Sequence, residues 1–224
     1  MCRECLIKRF GPHLNLWKQR LGRVPDWVWE CTELETLVLA DNDLAEVSDR
    51  IGCLTKLRTL DLGHNQLADV PDSLGGLTSL IDFLYLHDNQ LTSLPQSLAG
   101  LSRLRYLNIS ENGLDALPDC VCAMAGLVEL RATDNQLASI PNSIGCLLRL
   151  RELHLRNNQL TSLPESIGSL ENLRQIDLRG NPLKKLPGSL ACLPRLEKLD
   201  LRWVDIPPCE WFGDLEARGC LVYR

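Results

Sequence analysis

Apolar and polar positions repeat along nearly the whole chain with a period of 23 residues. Residues 150–160, LRELHLRNNQL, show one copy of the frame Leu-x-x-Leu-x-Leu-x-x-Asn-x-Leu. Successive frame asparagines are separated by 23, 24, 23, 23, 23 and 23 residues. They are Asn42, Asn65, Asn89, Asn112, Asn135, Asn158 and Asn181. The Leu-x-Leu alternation in each copy predicts a short strand with its leucines on the buried face.

The second half of each copy has a different pattern. Five residues after the asparagine comes an apolar residue, followed in most copies by proline, as in Leu94-Pro95. Proline favours an extended start, and the short stretch that follows predicts a turn or a single helical turn. A wide strand layer opposite such a narrow layer curves the stack, so we expect the sheet on the concave side.

Two incomplete copies flank the seven regular ones. The first has Gln19 at the asparagine position, and the last has Val204 there. End repeats of a solenoid are atypical because they shield the core of their neighbours. We therefore predict one domain over residues 1–224, in which repeats at 14–206 supply about nine strands.

The segments outside the repeats are expected to cap the solenoid at both ends. Residues 1–13 are interpreted as the N-terminal cap and residues 207–224 as the C-terminal cap. In the latter, the pattern predicts a helix over 209–218 that ends at Gly219. A final strand over 220–223 would cover the open edge of the sheet.

One interval between frame asparagines, from Asn65 to Asn89, is one residue longer than the others. The extra residue falls within 80–84, so we expect a bulge or a loosened turn just before the strand. Such a defect would re-aim Phe83 and Tyr85. The alternative is an insertion absorbed on the convex side.

The frame asparagines are expected to be structural. One buried amide per repeat can bond to backbone groups where the chain leaves the strand. Neighbouring repeats would then be joined by a ladder of asparagine side chains. These positions are therefore interpreted as framework and not as binding residues.

The 23-residue pattern resembles the leucine-rich repeat family, in particular intracellular Ras-suppressor and Scribble-like proteins and plant Ras-group repeats. The closing stretch at 201–220 is similar to the end of small stand-alone bacterial members. The resemblance implies an α/β leucine-rich repeat solenoid. This is a curved horseshoe with a concave parallel sheet and a convex side of turns and short 3-10 or helical segments. It also implies protein binding on the concave face, in some relatives in small-GTPase or phosphatase regulation.

The composition is that of a folded, slightly acidic protein. Apolar residues make up 45% of the chain, charged residues 24%, and the formal net charge is −5. A dedicated nucleic-acid binder would show a basic stripe, so nucleic acid is not an expected partner. No apolar run is long enough for a transmembrane helix, and the first residues lack the apolar core of a signal peptide. We therefore expect a cytoplasmic monomer that does not bind membranes.

The ten cysteines do not have the spacing of a disulfide framework. Cys53, Cys146 and Cys192 each precede a leucine in step with the repeat, which favours small buried or half-buried fillers with reduced thiols. Cys2 and Cys5 form a CxxC pair. Because no second pair accompanies it, free thiols are favoured over a metal or redox site.

Side chains between the frame leucines point away from the core, so they form the candidate binding surface. Arginine and aromatic residues are typical of the hot spots of protein interfaces. The predicted partner-binding residues are Phe83, Tyr85, His87, Tyr106, Asn108, Arg131, His154, Arg156, Asp177 and Arg179. The alternative is a solvated polar face whose charges compensate one another.

The sequence contains no pattern that indicates an enzyme. It has no glycine-rich phosphate loop, no His-Glu-x-x-His and no Gly-x-Ser-x-Gly. His64 and His87 lie in adjacent repeats and could reach one metal ion with Asp61 or Asp88. A metal site also needs the right ligand number and geometry, so no metal and no cofactor is predicted.

Two classes of function remain. The first is a non-catalytic module that binds an unidentified partner protein, with a role in intracellular signalling. The second is the recognition subunit or effector part of an enzyme system, such as ubiquitin ligation or phosphatase regulation. Only 18 residues follow residue 206, which is too few for a catalytic domain, so the first class is favoured.

Overall fold

The computed structural model describes residues 11–224 of the chain. Within this range, ten three-residue strands form one open, curved parallel sheet in chain order. They are β1 His13–Asn15, β2 Thr36–Val38, β3 Thr59–Asp61, β4 Phe83–Tyr85, β5 Tyr106–Asn108, β6 Glu129–Arg131, β7 Glu152–His154, β8 Gln175–Asp177, β9 Lys198–Asp200 and β10 Leu221–Tyr223. The predicted solenoid is confirmed, and the tenth strand is the one expected in the C-terminal cap. Residues 1–10 of the predicted N-terminal cap, with Cys2 and Cys5, lie outside the described residues.

Each strand presents one core-facing residue between two outward-facing ones. Leu37, Leu60 and Leu84 are fully buried at the centres of β2, β3 and β4, and they lie opposite one another in the register. The same alignment continues to the last strand pair. Because equivalent leucines stack in successive repeats, the core is one continuous apolar column along the solenoid.

The convex side of the described chain consists of short 3-10 segments and one short helix, α1 (Asp119–Cys122). The 3-10 segments are Asp26–Glu30, Asp49–Cys53, Asp72–Gly76, Gln96–Gly100, Asn142–Cys146, Glu165–Ser169 and Gly188–Cys192. Proline precedes most of them in an extended conformation, as at Pro95 with φ −66° and ψ 142°. Its carbonyl accepts the N–H of Leu98 at 3.1 Å. Proline thus sets the entry angle, and one 3-10 turn follows.

Asparagine side chains join the repeats where the chain leaves each strand. Asn158 donates from Nδ2 to the carbonyl of Leu155 in its own repeat and to that of Ala132 in the preceding repeat, both at 2.9 Å. Its Oδ1 accepts the N–H of Leu137 at 3.0 Å. All seven frame asparagines bond in this way to their own repeat and to both a carbonyl and an N–H of the preceding one.

The residue before each ladder asparagine has a left-handed backbone conformation. These residues are Asp41, His64, Asp88, Glu111, Asp134, Asn157 and Gly180. Their φ values run from 51° at Asp88 to 66° at Gly180. Aspartate, asparagine and histidine are enriched in this region of backbone space, and glycine enters it without strain. The turn chemistry and the ladder therefore recur together in every repeat.

The strand at the 24-residue interval is regular. Phe83 lies opposite Thr59 and Leu84 opposite Leu60, in the same register as every other strand pair. The predicted bulge that would re-aim Phe83 and Tyr85 is therefore wrong. Core packing of Leu84 and the sheet hydrogen bonds both oppose a register shift, because a one-residue slip would turn the leucine outward.

The extra residue is accommodated in the segment before β4. Here the N–H of Arg105 bonds to the carbonyl of Ile81 at 3.0 Å, two residues before the strand. In the next repeat, the equivalent N–H of Val128 bonds to the carbonyl of Arg105, one residue before its strand. The additional residue thus shifts one hydrogen bond and leaves the strand intact.

The C-terminal cap has the predicted order of a helix and a strand. Helix α2 (Phe212–Ala217) begins later than predicted, because residues 210–211 form a turn before it. Phe212 and Leu215 are buried against the last repeat, and Gly219 follows the helix with φ 89°. Strand β10 then pairs in parallel with β9 and covers its edge.

The asparagine ladder predicts that substitutions at two neighbouring positions differ greatly in their effect on the free energy of unfolding. Asn158→Ala leaves buried backbone carbonyls and an N–H without their partner, so we expect a loss of about 1–3 kcal/mol in the free energy of unfolding. Gln159→Ala changes an exposed side chain and should cost much less. Denaturant unfolding of both variants measures this difference. Equal midpoints would contradict a structural role of the ladder.

Two adjacent glycines on the convex side provide a second prediction. A Cβ at Gly75 would collide with the backbone carbonyl of Ser97 in the next turn, whereas a Cβ at Gly76 would meet nothing within 4 Å. Gly75→Ala should therefore destabilise the fold by about 1–3 kcal/mol. Gly76→Ala should be neutral or slightly stabilising, since alanine restricts the unfolded chain. Thermal unfolding of the two variants tests this, and equal melting temperatures would refute the close packing of the turns.

Candidate functional site on the concave face

Aromatic side chains form a contiguous cluster at the middle of the concave face. Phe83 and Tyr85 occupy the two outward positions of β4, and Tyr106 occupies the first outward position of β5. The ring centroid of Tyr106 lies 5.1 Å from that of Tyr85 and 5.5 Å from that of Phe83. The side chain of Phe83 is 42% exposed, so apolar surface is available to a partner.

Both tyrosines in this cluster are neutral phenols at physiological pH. Burial raises the pKa of Tyr106 to about 12, although the positive charge of Arg131 partly opposes this shift. Burial also raises the pKa of Tyr85, with a further contribution from the charge of Asp61. Each ring thus offers an apolar surface together with a hydroxyl group that can donate or accept a hydrogen bond.

A shallow hollow of about 230 Å³ adjoins the aromatic cluster. It is lined by Phe83 and Tyr106 together with Asp82, Arg105, Val128 and Glu129. Its lining residues lie in and directly before β4, β5 and β6. A small apolar side chain of a partner would find both aromatic contact and nearby charges in it.

Charged side chains dominate the next strands. Arg131 donates from Nε to Oε1 of Glu129 at 2.5 Å, and Nε2 of His154 lies 3.2 Å from Oε2 of Glu152. Glu129, Glu152 and His154 place one ligand atom each within 4.8 Å of one another, which is close enough to share a metal ion. Arg131 already neutralises Glu129, however, and this disfavours an additional cation at the same carboxylate.

A second hollow, of about 260 Å³, lies over β6 to β9 and is rich in cations. Arg131, Arg156, Arg179 and Lys198 line it, beside the carboxylate of Asp177. Arg179 binds Asp177 through Nε at 2.8 Å and Nη2 at 2.5 Å, which is the strong two-point geometry of a guanidinium–carboxylate pair. The predicted residues Asp177 and Arg179 therefore bind each other.

Arg156 differs from the other arginines of this hollow. Its Nη2 bonds to Oδ2 of Asp134 at 3.0 Å. Burial alone would raise the pKa of Asp134, but hydrogen bonds from Asn157 and Arg156 outweigh burial and lower it. Its Nε is buried and has no hydrogen-bond partner among the described residues.

Three sequence segments, 32–91, 81–137 and 148–206, match the family model described as "Leucine rich repeat". The chain belongs to the leucine-rich repeat family. Among curated proteins, no sequence matches it at a significant level.

Solved leucine-rich repeat structures resemble this one over most of the chain. A leucine-rich repeat protein of Leptospira interrogans is 24% identical, with a TM-score of 0.75 over 99% of this chain and 68% of its own. The plant peptide hormone receptor RGFR1, in complex with RGF2, is 30% identical, with a TM-score of 0.79 over 93% of this chain. The ectodomain of the receptor kinase GASSHO1/SCHENGEN3 from Arabidopsis thaliana, in complex with Casparian strip integrity factor 2, is 29% identical, with a TM-score of 0.78 over 90% of this chain. This chain spans only 34% and 26% of the two plant structures, respectively.

The structure of this leucine-rich repeat protein brings some predicted residues together and separates others. Phe83, Tyr85 and Tyr106 form one cluster, which His87 joins with its ring centroid 6.0 Å from that of Tyr85. Asn108 instead accepts the N–H of Ser110 through Oδ1 at 3.1 Å, so its side chain serves the turn after β5. The other charged residues lie in the cation-rich hollow or at its edge.

Sequence reasoning missed two charged residues that complete this surface, Glu129 and Lys198. Both occupy the first outward position of their strands. The prediction relied mainly on the second outward position of each strand and on the residue two places after it. The signal was present in the repeat, because this position also carries Phe83 and Tyr106. Reading every outward column of the sheet would have found them.

The described residues include no helix long and apolar enough to cross a membrane. The described cysteines are free thiols, and burial raises the pKa of several of them, to about 11 for Cys122. Cys53, Cys146 and Cys192 are exposed at the ends of their 3-10 segments. The prediction that they are buried or half-buried fillers is therefore wrong, because the ends of these segments face solvent.

Asp200, at the end of β9, is a buried carboxylate within this charged surface. Burial alone would raise its pKa, but hydrogen bonds from Arg202 and the charges of Arg179 and Arg202 outweigh it and lower the pKa. The Oδ2 of Asp200 lies 2.8 Å from Nη2 of Arg202 and 3.6 Å from Nε of Arg179. This carboxylate organises the C-terminal end of the charged surface.

The ion pairs of Asp200 predict a pH-dependent contribution to stability. Its folded pKa lies below the unfolded value of about 3.9, so the ionised carboxylate stabilises the fold above that pH. The contribution is lost as the pH falls through the folded pKa. Asp200→Asn should therefore cost about 1.5–3 kcal/mol at pH 7 and clearly less at pH 3. Urea unfolding at both values tests this against Asp205→Asn, an exposed control. A cost independent of pH would refute the assignment.

Proposed function

We propose that this leucine-rich repeat protein is a non-catalytic module that binds a partner protein on its concave face. The observation that carries the proposal is the aromatic cluster of Phe83, Tyr85 and Tyr106. It is partly exposed, lines one hollow of the concave face and is followed along the sheet by an arginine-rich surface with a second hollow. Interface hot spots combine aromatic and arginine side chains in this manner.

The way in which the polar groups of the concave face are paired supports a binding surface and not a purely solvated face. Many charges of the concave face are compensated within the chain, which makes binding less costly because fewer groups need new partners. The guanidinium group of Arg156, whose Nε has no hydrogen-bond partner among the described residues, remains as a directional group. A partner that buries the aromatic rings would therefore also have to supply acceptors, which confers specificity.

Two of the similar structures support a protein or peptide as the ligand. The plant receptor structures were solved in complex with RGF2 and with Casparian strip integrity factor 2. At 29–30% identity, binding of a protein or peptide by this chain is a proposal. The net charge of −5 is consistent with a protein ligand and unfavourable for nucleic acid.

The proposed setting is the bacterial cytoplasm, with the protein acting as a monomer in intracellular signalling. Free thiols at the exposed Cys53, Cys146 and Cys192 suit a reducing compartment. The sequence resemblance to intracellular relatives supports the same setting. A thiol titration of the denatured, untreated protein should find the cysteines reduced, and extensive disulfide formation would contradict a cytoplasmic location.

The proposed surface is tested by affinity capture from a lysate of the source organism with matched variants. Tyr85→Ala combined with Arg156→Ala should weaken partner capture by more than tenfold, because hot-spot truncations cost about 2 kcal/mol or more each. The control is Gln96→Ala combined with Asn142→Ala, which changes two exposed residues of the convex 3-10 segments. Unchanged melting temperatures exclude unfolding as the cause. If the convex variant loses the partner and the concave variant retains it, the chosen face is wrong.

A further inference from the structure

Two imidazole rings meet at the N-terminal edge of the aromatic cluster. His64 follows β3 and His87 follows β4, and the repeat places them side by side. Their Nε2 atoms lie 3.3 Å apart, and their ring planes are inclined at 79°. Two nitrogen ligands of one tetrahedral zinc ion, each at 2.0–2.1 Å, are about 3.3–3.4 Å apart. The two rings thus have the separation that a shared metal ion requires. Without an ion, the same distance is that of a hydrogen bond from Nε2 of His87 to Nε2 of His64, which a bound ion would replace.

A carboxylate orients one of the two rings. Nδ1 of His64 lies 2.6 Å from Oδ2 of Asp88. An ionised carboxylate only accepts hydrogen bonds, so Nδ1 of His64 carries the proton. The lone pair of His64 is therefore on Nε2 and faces His87. Histidine ligands of metal ions commonly have this carboxylate partner on the other ring nitrogen.

The second ring lies in a space that one glycine provides. His87 packs directly over Gly63, and a Cβ at position 63 would overlap its imidazole. The equivalent positions in the other regular repeats carry larger side chains, from Ala40 to Arg179. Glycine at this place allows the His87 ring to lie against the sheet and beside His64.

The surroundings of the pair are acidic. An open groove beside His64 is lined by Asp41, Asp43 and Asp88. Asp61 and Glu111 also act electrostatically on His87. This half of the concave face contrasts with the arginine-rich half over β6 to β9. Lys18 already pairs with Asp41 at 3.0 Å, so the charges of Asp43, Asp61 and Glu111 are the ones that favour a cation here. At Glu129 and Glu152 an ion would compete with Arg131.

We propose that His64 and His87 form a binding site for a transition-metal ion of the zinc type, with Asp88 as the residue that orients His64. Imidazole ligands suit zinc, copper and nickel, whereas calcium and magnesium prefer oxygen ligands. The two Nε2 atoms are the protein ligands, and water molecules complete the coordination. The open groove beside His64 gives solvent access from that side of the pair.

The site adjoins the proposed partner surface but does not depend on it. The ring of His87 lies 6.0 Å from that of Tyr85, centroid to centroid. A bound ion would add a positive charge and exchangeable coordination positions at the edge of the aromatic cluster. Because the proposal concerns binding of the ion by this chain alone, its test requires no partner protein.

The test is a calorimetric titration of the purified full chain with Zn²⁺ alone, after alkylation of accessible thiols so that cysteines do not bind the metal. One ion per chain is expected. His64→Ala and His87→Ala should each weaken binding at least tenfold, and Asp88→Asn should weaken it about 10- to 100-fold through loss of orientation. Ca²⁺ in excess should not displace the zinc, because it prefers oxygen ligands.

The controls are His13→Ala and His154→Ala, which leave the pair intact. His13 bonds to Thr36, and His154 belongs to the separate group with Glu129 and Glu152. Both variants should bind zinc like the original chain, and His64→Ala should keep the original melting temperature. Absence of zinc binding, or binding that survives His64→Ala and His87→Ala, would overturn the proposal. Loss of binding in His154→Ala alone, or displacement by Ca²⁺, would also overturn it.

Discussion

The structure depends on one constraint, the need to satisfy backbone polar groups each time the chain leaves the sheet. A turn at this point exposes carbonyl and N–H groups to an apolar core, where an unpaired group costs about 1–3 kcal/mol. An asparagine amide has donors and an acceptor at the right separation, so one side chain serves two repeats. Asn158 does this for the carbonyls of Ala132 and Leu155 and the N–H of Leu137. The left-handed residue before each asparagine completes the turn.

This arrangement separates the residues that build the solenoid from those that face a partner. The leucines, the asparagines and the glycines of the convex turns have fixed structural partners, as the close contact between Gly75 and Ser97 illustrates. Although Asn108 and Asp61 bond to the turns that follow their strands, most of the outward strand positions have no such duty. Their side chains can vary from repeat to repeat without loss of the core, and here they divide the concave face into an acidic, histidine-containing end, an aromatic centre and an arginine-rich end.

The two ends of this surface differ in how their polar groups are paired. At the C-terminal end, Asp177 and Asp200 are enclosed by Arg179 and Arg202, so most of the charge is neutralised within the protein. At the N-terminal end, two imidazole nitrogens face each other among carboxylates. The aromatic cluster between them presents the exposed apolar surface of Phe83. A partner would therefore meet three chemically different zones on one rigid sheet.

The sequence by itself determined the fold, the strand positions, the ladder and the candidate face, because each repeat contains its own complete set of framework residues. It also placed Phe83, Tyr85 and Tyr106 on that face. The tertiary structure alone decided how the 24-residue interval is absorbed, since the register of β4 depends on the packing of Leu84 against its neighbours. It likewise decided which outward side chains bind each other, for example Asp177 and Arg179. It also decided that the Nε2 atoms of His64 and His87 lie 3.3 Å apart. Such pairings depend on distances between side chains of different repeats, and a one-dimensional pattern contains no information on side-chain rotamers.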